Sequence, residues 1–141
     1  VVGGPLGAKN PLRGIIRIPG HGFGDYCLDL DPEACRDGAN LIVADVREIP
    51  FPDRFFGCAT AMHILEHLPS VNDAIKAVEE LYRVADKVIV AAPRKSTLLA
   101  WFIPDHFLWV RQDENGIWIE GREEKRLVLV RDEGGVLTEK C

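Results

Sequence analysis

The chain has 141 residues, of which 47% are hydrophobic and 28% charged, and its formal net charge is −5. This is the composition of a folded domain rather than of a disordered chain. The acidic balance leaves no broad basic face, so we expect neither nucleic acid nor an anionic membrane as a partner. The longest apolar run, residues 96–104, is too short to span a bilayer, and no signal segment opens the chain. We therefore expect a cytoplasmic protein.

The four cysteines are Cys27, Cys35, Cys58 and Cys141, and no two of them have the C-x-x-C spacing of zinc ribbons or thioredoxin-like motifs. In a cytoplasmic protein we expect all four to be reduced thiols. Cys27 and Cys58 lie inside apolar runs, which indicates that they are small core residues.

The first part of the chain reads as strands joined by loops. Val1 and Val2 run into a glycine-rich turn at residues 3–7, and residues 8–24 hold too many Gly and Pro for a helix. Further strands are predicted from apolar runs at residues 26–30, 41–45, 56–62 and 87–92. Near-continuous apolar runs of this kind are typical of parallel strands that are covered on both faces.

The second part of the chain combines one helix with predicted hairpins. Apolar residues at i, i+3, i+4 and i+7 predict an amphipathic helix over residues 71–84, with Ser70 as its N-cap. An Asn-Gly pair between residues 107–110 and 117–119 predicts a hairpin, and residues 126–130 and 136–137 form a second possible one. An exposed hairpin edge could pair two copies of the chain into a homodimer.

This order of elements predicts an α/β fold with a largely parallel sheet, helices, and antiparallel strands at the C-terminal end. We expect a single domain over residues 1–141, with a ligand-binding core at 1–95 and a hairpin region at 96–141. Ligands of such sheets bind at the carboxyl ends of the strands.

Acidic residues follow two of the predicted strands and suggest the kind of ligand. A glycine-rich turn lets a ligand approach the backbone closely, and Asp29 at the end of the next strand can accept hydrogen bonds from both ribose hydroxyls, with Asp31 as the alternative. Asp45 ends a further strand and can accept from an adenine amino group. Each acid alone could be a simple strand-end residue, but the ordered set points to an adenosine-containing ligand.

Three segments carry a resemblance to a known family. They are residues 28–32 (Leu-Asp-Leu-Asp-Pro), residues 45–56, and residues 63–68 (His-Ile-Leu-Glu-His-Leu). In these segments the chain resembles the class I S-adenosylmethionine-dependent methyltransferases, in particular a compact branch similar to type 11 domains. The resemblance implies a Rossmann-like fold, S-adenosyl-L-methionine as the cofactor, and methyl transfer to a small-molecule acceptor. It implies that the cofactor is bound by Gly3, Gly4, Pro5, Gly7, Asp29, Leu30, Asp45, Val46 and Met62.

The segment His63 to His67 also fits the pattern H-x-x-E-H of a group of zinc hydrolases. That chemistry requires both histidines on one helix face, whereas here an apolar run precedes His63 and Pro69 closely follows His67. We therefore expect no bound metal. The resemblance places this segment at the methionine end of the cofactor, so His63 and His67 are the candidate catalytic residues, although both could be purely structural.

The remaining function classes follow from these features. An altered glycine turn and a small acceptor region would suit a methyltransferase-like domain that binds without turnover, and the His63-Glu66-His67 pattern leaves a zinc hydrolase as the least favoured alternative. Five aromatic residues follow the last parallel strand and would either cover an acceptor or form ordinary core; they are Trp101, Phe102, Phe107, Trp109 and Trp118.

Overall fold

A computed structural model of the chain describes residue 2 and residues 24–35, 40–93, 106–113, 116–121 and 125–128. These residues form a mixed α/β structure with small parallel and antiparallel sheets and one α-helix. None of the helices in these ranges is long and apolar enough to cross a membrane.

Two pairs of parallel strands form the first sheet. Strand β1 (Tyr26–Asp29) pairs with β2 (Asn40–Val43), and β3 (Ala59–Met62) pairs with β4 (Val88–Ala91). Val2 lies between the two pairs, because it bridges in parallel to both Leu28 of β1 and Ala61 of β3. Its N–H donates to the carbonyl of Thr60 at 2.7 Å. The strand order is therefore β2, β1, Val2, β3, β4, and the predicted parallel arrangement is confirmed for these segments.

Helix α1 (Val71–Val84) connects β3 to β4 and has the predicted bounds. The hydroxyl of Ser70 accepts a hydrogen bond from the N–H of Asp73 at 3.1 Å, which satisfies one of the amides that a helix start leaves without a partner. Most of the apolar face of the helix is buried: Ala74, Val78 and Leu81 have 0% exposure, whereas Ile75 and Tyr82 are partly buried. Removing this face from water is the main contribution of the helix to stability.

An antiparallel sheet follows, in the order β5 (Trp109–Asp113), β6 (Gly116–Glu120) and β7 (Lys125–Val128). The first predicted hairpin is confirmed: Asp113 pairs with Gly116, whose φ of 131° is accessible to glycine but costly for other residues. β7 pairs with β6, so residues 125–128 extend this hairpin into a three-stranded sheet. Residues 136–137 of the second possible hairpin lie outside the described residues.

The buried core joins both sheets through the helix. Side chains of β5 and β6 pack in one cluster with the apolar face of α1 and with the first sheet; those from the second sheet are Val110, Ile117 and Ile119. The extent of this cluster shows that the hairpin region shares its core with the parallel strands.

Arg83 and Glu80 of the helix hold the loop between β2 and β3 through several hydrogen bonds. Arg83 donates to the carbonyls of Phe51 at 2.8 Å and Ile49 at 2.9 Å, while Glu80 accepts from the N–H of Ile49 at 2.9 Å. Arg83 also hydrogen-bonds Glu80 at 2.7 Å, and this lowers the pKa of the Glu80 carboxyl below its ordinary value. Backbone groups of Ile49 and Phe51, which lie outside the strands, thereby gain hydrogen-bond partners.

Two expectations from the sequence are wrong. Cys27 and Cys35 are not reduced thiols but form a disulfide, because the turn after β1 brings their Cα atoms to 5.8 Å, within bonding distance. Cys58 is disulfide-bonded as well, so none of the three described cysteines is a free thiol. Strand β2 is not covered on both faces, since Leu41 and Val43 are 41% and 57% exposed. It pairs with β1 along one edge, and of its apolar side chains only Ile42 is partly buried against the core.

Candidate functional site

The carboxyl ends of the four parallel strands meet at one edge of the first sheet. Asp29 is the last residue of β1, and Asp45 follows β2 by two residues. The N–H of Ala44 donates to the carbonyl of Asp29 at 3.3 Å, so the two strand ends lie side by side. Met62 ends β3 at the same edge. The structure therefore brings Asp29, Asp45 and Met62 to the edge where such sheets bind ligands.

The turn after β1 holds its two acids in defined orientations. The Asp29 carboxylate accepts from the N–H of Asp31 at 2.9 Å, and the Asp31 carboxylate accepts from the N–H of Glu33 at 2.9 Å. Both are side chain to backbone turns of the kind that Asp forms readily. The Cys27–Cys35 disulfide closes the same segment. The turn is thus constrained both by hydrogen bonds and covalently.

The Asp45 carboxylate forms an ion pair with Arg47, which was not predicted from the sequence. The Asp45 carboxylate accepts from the backbone N–H of Arg47 at 2.8 Å and from its guanidinium at 2.6 Å. These contacts lower the pKa of Asp45 below its ordinary value. Arg47 also reaches Asp73 at 2.7 Å, at the start of α1. The Asp-x-Arg spacing was a usable signal for the first contact, but the second depends on the tertiary fold.

The other predicted cofactor-binding residues differ in exposure. Leu30 is 69% exposed directly after Asp29, whereas Val46 is only 6% exposed and packs in the core. Gly3, Gly4, Pro5 and Gly7, the predicted glycine turn, lie outside the described residues.

His63 follows β3 in a strained backbone conformation. Its φ is 56°, a left-handed value that is uncommon for residues other than glycine. Its N–H donates to the carbonyl of Ala91 in β4 at 2.8 Å, and its Nδ1 lies 3.1 Å from Oε1 of Glu66. Glu66 itself is 98% buried (2% exposed). Such strain is concentrated at functional sites, where surrounding contacts hold it in place.

The segment after His63 does not form a helix centred on the motif. Leu65–His67 makes a single turn of 3₁₀ helix, and Leu68 is extended. His67 is exposed, and its ring lies 4.8 Å from the ring of His106 in an edge-to-face arrangement. The geometry that the H-x-x-E-H zinc hydrolases require is therefore not formed.

Two clefts lie near the sheets. One, of about 410 Å³, is lined by the end of β4 and by side chains of β5 and β6, among them Trp109 and Trp118. Arg111 stacks over the Trp118 ring at 4.9 Å. The other, of about 690 Å³, is lined at the amino ends of the strands by residues that include Asp25 but neither Asp29 nor Asp45. The aromatic residues Trp101 and Phe102 lie outside the described residues, and Phe107 is 50% exposed.

A family model described as a methyltransferase domain matches residues 23–87, a little under half of the chain. The match spans β1 to the end of α1 and includes Asp29, Asp45 and His63. It confirms the resemblance to the class I methyltransferases and supports a methyltransferase activity in general. No match is found among curated proteins or among solved structures.

Proposed function

We propose that this chain, whose residues 23–87 match the methyltransferase domain, transfers a methyl group from S-adenosyl-L-methionine to a small-molecule acceptor. The observation that carries the proposal is the shared edge of four parallel strands, at which Asp29 and Asp45 lie on neighbouring strand ends. A Rossmann-like domain binds its nucleotide at such an edge. The parallel order β2, β1, Val2, β3, β4 supports that architecture.

Asp29 fits the ribose of the cofactor. Ribose hydroxyls are donors, and a carboxylate has about four acceptor positions. The Asp29 carboxylate is half-buried, and the N–H of Asp31 fixes its orientation. Leu30, exposed beside it, would cover an apolar face of the nucleoside. The resemblance also assigns cofactor binding to Gly3, Gly4, Pro5 and Gly7, which lie outside the described residues.

Asp45 would accept from the adenine amino group, while the backbone of Val46 would serve a ring nitrogen. The adenine amino group would share the Asp45 carboxylate with Arg47, whose guanidinium contacts both carboxylate oxygens. Sharing weakens each interaction, so we expect Asp45 to contribute less to affinity than Asp29.

The transfer itself requires the chain to align an acceptor with the methyl group. When bound, the cofactor would supply a sulfonium methyl group, to whose carbon an acceptor lone pair would bond while the carbon–sulfur bond breaks and S-adenosylhomocysteine leaves. Met62 and His63 lie where β3 ends, and the cleft of about 410 Å³ at the end of β4 is of a size that suits a small molecule. His63 would take a proton from the acceptor, and the contact of its Nδ1 with Glu66 at 3.1 Å would hold the ring in position. His67 is the second candidate base.

Two expectations about the cellular context remain proposals. The Cys27–Cys35 disulfide argues against a cytoplasmic location, since thiols are kept reduced in the cytoplasm. Homodimer formation through a hairpin edge can be measured by analytical ultracentrifugation.

The test is calorimetric binding of S-adenosylmethionine and S-adenosylhomocysteine. Loss of hydrogen bonds to a charged acceptor costs about 1.5–3 kcal/mol each, so Asp29→Ala should weaken binding at least about tenfold. Glu33→Ala removes an exposed carboxylate from the same turn and serves as the control. Unchanged affinity for Asp29→Ala with a loss for Asp31→Ala would move the ribose contact to Asp31. Unchanged affinity for both variants would refute the proposed site.

A second candidate is a methyltransferase-like domain that binds the cofactor without turnover. The engagement of Asp45 by Arg47 favours it, because the ion pair reduces what Asp45 can offer to a ligand. Binding of S-adenosylmethionine without formation of S-adenosylhomocysteine, across a panel of small acceptors, would distinguish it from the enzyme.

A further inference from the structure

Three potential metal ligands meet beside the end of β3. One ligand atom from each of Glu66, His67 and His106 lies within 4.8 Å of the other two. His106 comes from the segment before β5, and two backbone hydrogen bonds hold that segment against the turn of 3₁₀ helix. The N–H groups of Phe107 and Leu108 both donate to the carbonyl of Glu66, at 2.8 and 3.2 Å. The proximity of the two histidines is therefore fixed by the backbone of both segments.

Glu66 provides a second and independent observation. Its side chain is only 2% exposed, and its Oε1 lies 3.1 Å from Nδ1 of His63. In the part of the chain that the structure describes, its other oxygen, Oε2, is buried and has no hydrogen-bond partner. A buried carboxylate oxygen without a partner carries a desolvation cost that a cation or a donor would offset.

We propose that Glu66, His67 and His106 bind a divalent transition-metal ion. Two imidazoles and one carboxylate are a donor set suited to zinc, iron and their neighbours, and such sites keep positions open for water or another molecule. His67 is exposed, so solvent can reach the ion. The site does not depend on the proposed methyl transfer.

His63 has a supporting role in this arrangement. Its contact with Oε1 orients the Glu66 carboxylate, as residues behind a metal ligand commonly do. The expectation of no bound metal was drawn for a helical set of His63, Glu66 and His67, which the structure does not form. His106, distant in sequence, takes the place of His63 as the second nitrogen ligand.

Binding requires a small closure of the site. Metal–nitrogen bonds of about 2.0–2.1 Å in a tetrahedral site place ligand atoms about 3.3 Å apart. The present separations extend to 4.8 Å, so the ligand atoms must approach by up to about 1.5 Å. Side-chain rotation of the exposed His67 can supply part of this movement.

The experiment titrates the metal-free full chain with Co²⁺ and with Zn²⁺, followed by calorimetry and by the visible absorption of bound Co²⁺. We expect one equivalent to bind. Glu66→Gln and His106→Gln, which nearly keep side-chain volume, should each weaken binding more than about 100-fold, because a ligand matters more than the residues behind it. His63→Gln is the matched control and should retain one equivalent with a loss of about 10- to 100-fold.

Three results would overturn the proposal. The first is failure of the parent chain to bind either ion at micromolar concentration. The second is unchanged binding in both Glu66→Gln and His106→Gln. The third is complete loss of binding in His63→Gln together with unchanged binding in His106→Gln. The last result would restore the H-x-x-E-H set. Circular dichroism establishes that each variant is folded, and His67→Gln replaces His106→Gln if the latter unfolds.

Discussion

Replacement of Asp45 by alanine tests how the adenine ring would be recognised. If the Asp45 carboxylate accepts from the adenine amino group, Asp45→Ala removes one hydrogen bond to a charged group, worth about 1.5–3 kcal/mol. Arg47 shares both oxygens, so we expect the lower end of this range. An energy of about 1.5 kcal/mol corresponds to roughly a tenfold rise in the dissociation constant of S-adenosylhomocysteine.

The assay compares S-adenosylhomocysteine with its hypoxanthine analogue, in which a carbonyl replaces the amino group. A carboxylate facing that carbonyl leaves two acceptors opposed, so the parent chain should bind the analogue at least about tenfold more weakly. In Asp45→Ala the two ligands should bind almost equally. Glu48→Ala, which removes an exposed carboxylate from the same loop, should keep the discrimination.

Arg47→Met separates recognition from a structural effect. If Asp45 acts only by anchoring Arg47 to Asp73, the loss of Arg47 should weaken binding as much as the loss of Asp45. If Asp45 contacts the ligand, Arg47→Met should retain the preference for adenine and bind at least as tightly as the parent. Equal affinity of the parent chain for both ligands would refute the reasoning, and Asp45 would then be a strand-end residue only.

Three further predictions concern stability. Arg83 lowers the pKa of Glu80, so the ionised Glu80 carboxylate stabilises the folded state above about pH 5, and this stabilisation is lost as the pH falls through the lowered pKa. In urea titrations, Glu80→Gln should therefore flatten the decrease in the free energy of unfolding between about pH 5 and 3. Leu81→Ala should cost about 2–5 kcal/mol in the same assay, since Leu81 is fully buried, and a loss below about 1 kcal/mol would contradict the packing of α1. The double variant Cys27→Ser, Cys35→Ser should lose about 2.5 kcal/mol of unfolding free energy, because the disulfide closes a loop with a sequence separation of 8 and so restricts the unfolded chain. An unchanged urea midpoint would show that the bond does not constrain the unfolded chain.

Local features of the structure could be predicted from the sequence. The bounds of α1 follow from apolar spacing and from Ser70, both of which act within a few residues. The hairpin of β5 and β6 follows from alternation around an Asn-Gly pair. The position of Asp29 at the sheet edge also follows from the sequence, because the end of a strand is a local signal.

Contacts between distant segments could not be predicted in this way. No local pattern indicates that His106 lies beside Glu66, that Arg47 bonds Asp73, or that β2 has exposed side chains. The disulfide was missed for a different reason: the expected compartment, rather than the geometry of the turn, decided the assignment of Cys27 and Cys35.

The position of Val2 between the two strand pairs has a consequence for the order of folding during translation. Val2 leaves the ribosome before either neighbour, and its second partner, Ala61, follows only after β1 and β2 have been made. Until then the nascent chain has a strand edge without a partner, and a two-stranded pair has little stability by itself. Closure of the sheet is therefore a late and non-local step, and such steps are slow and expose the chain to aggregation. We expect the yield of folded protein to respond to chaperones and to translation speed.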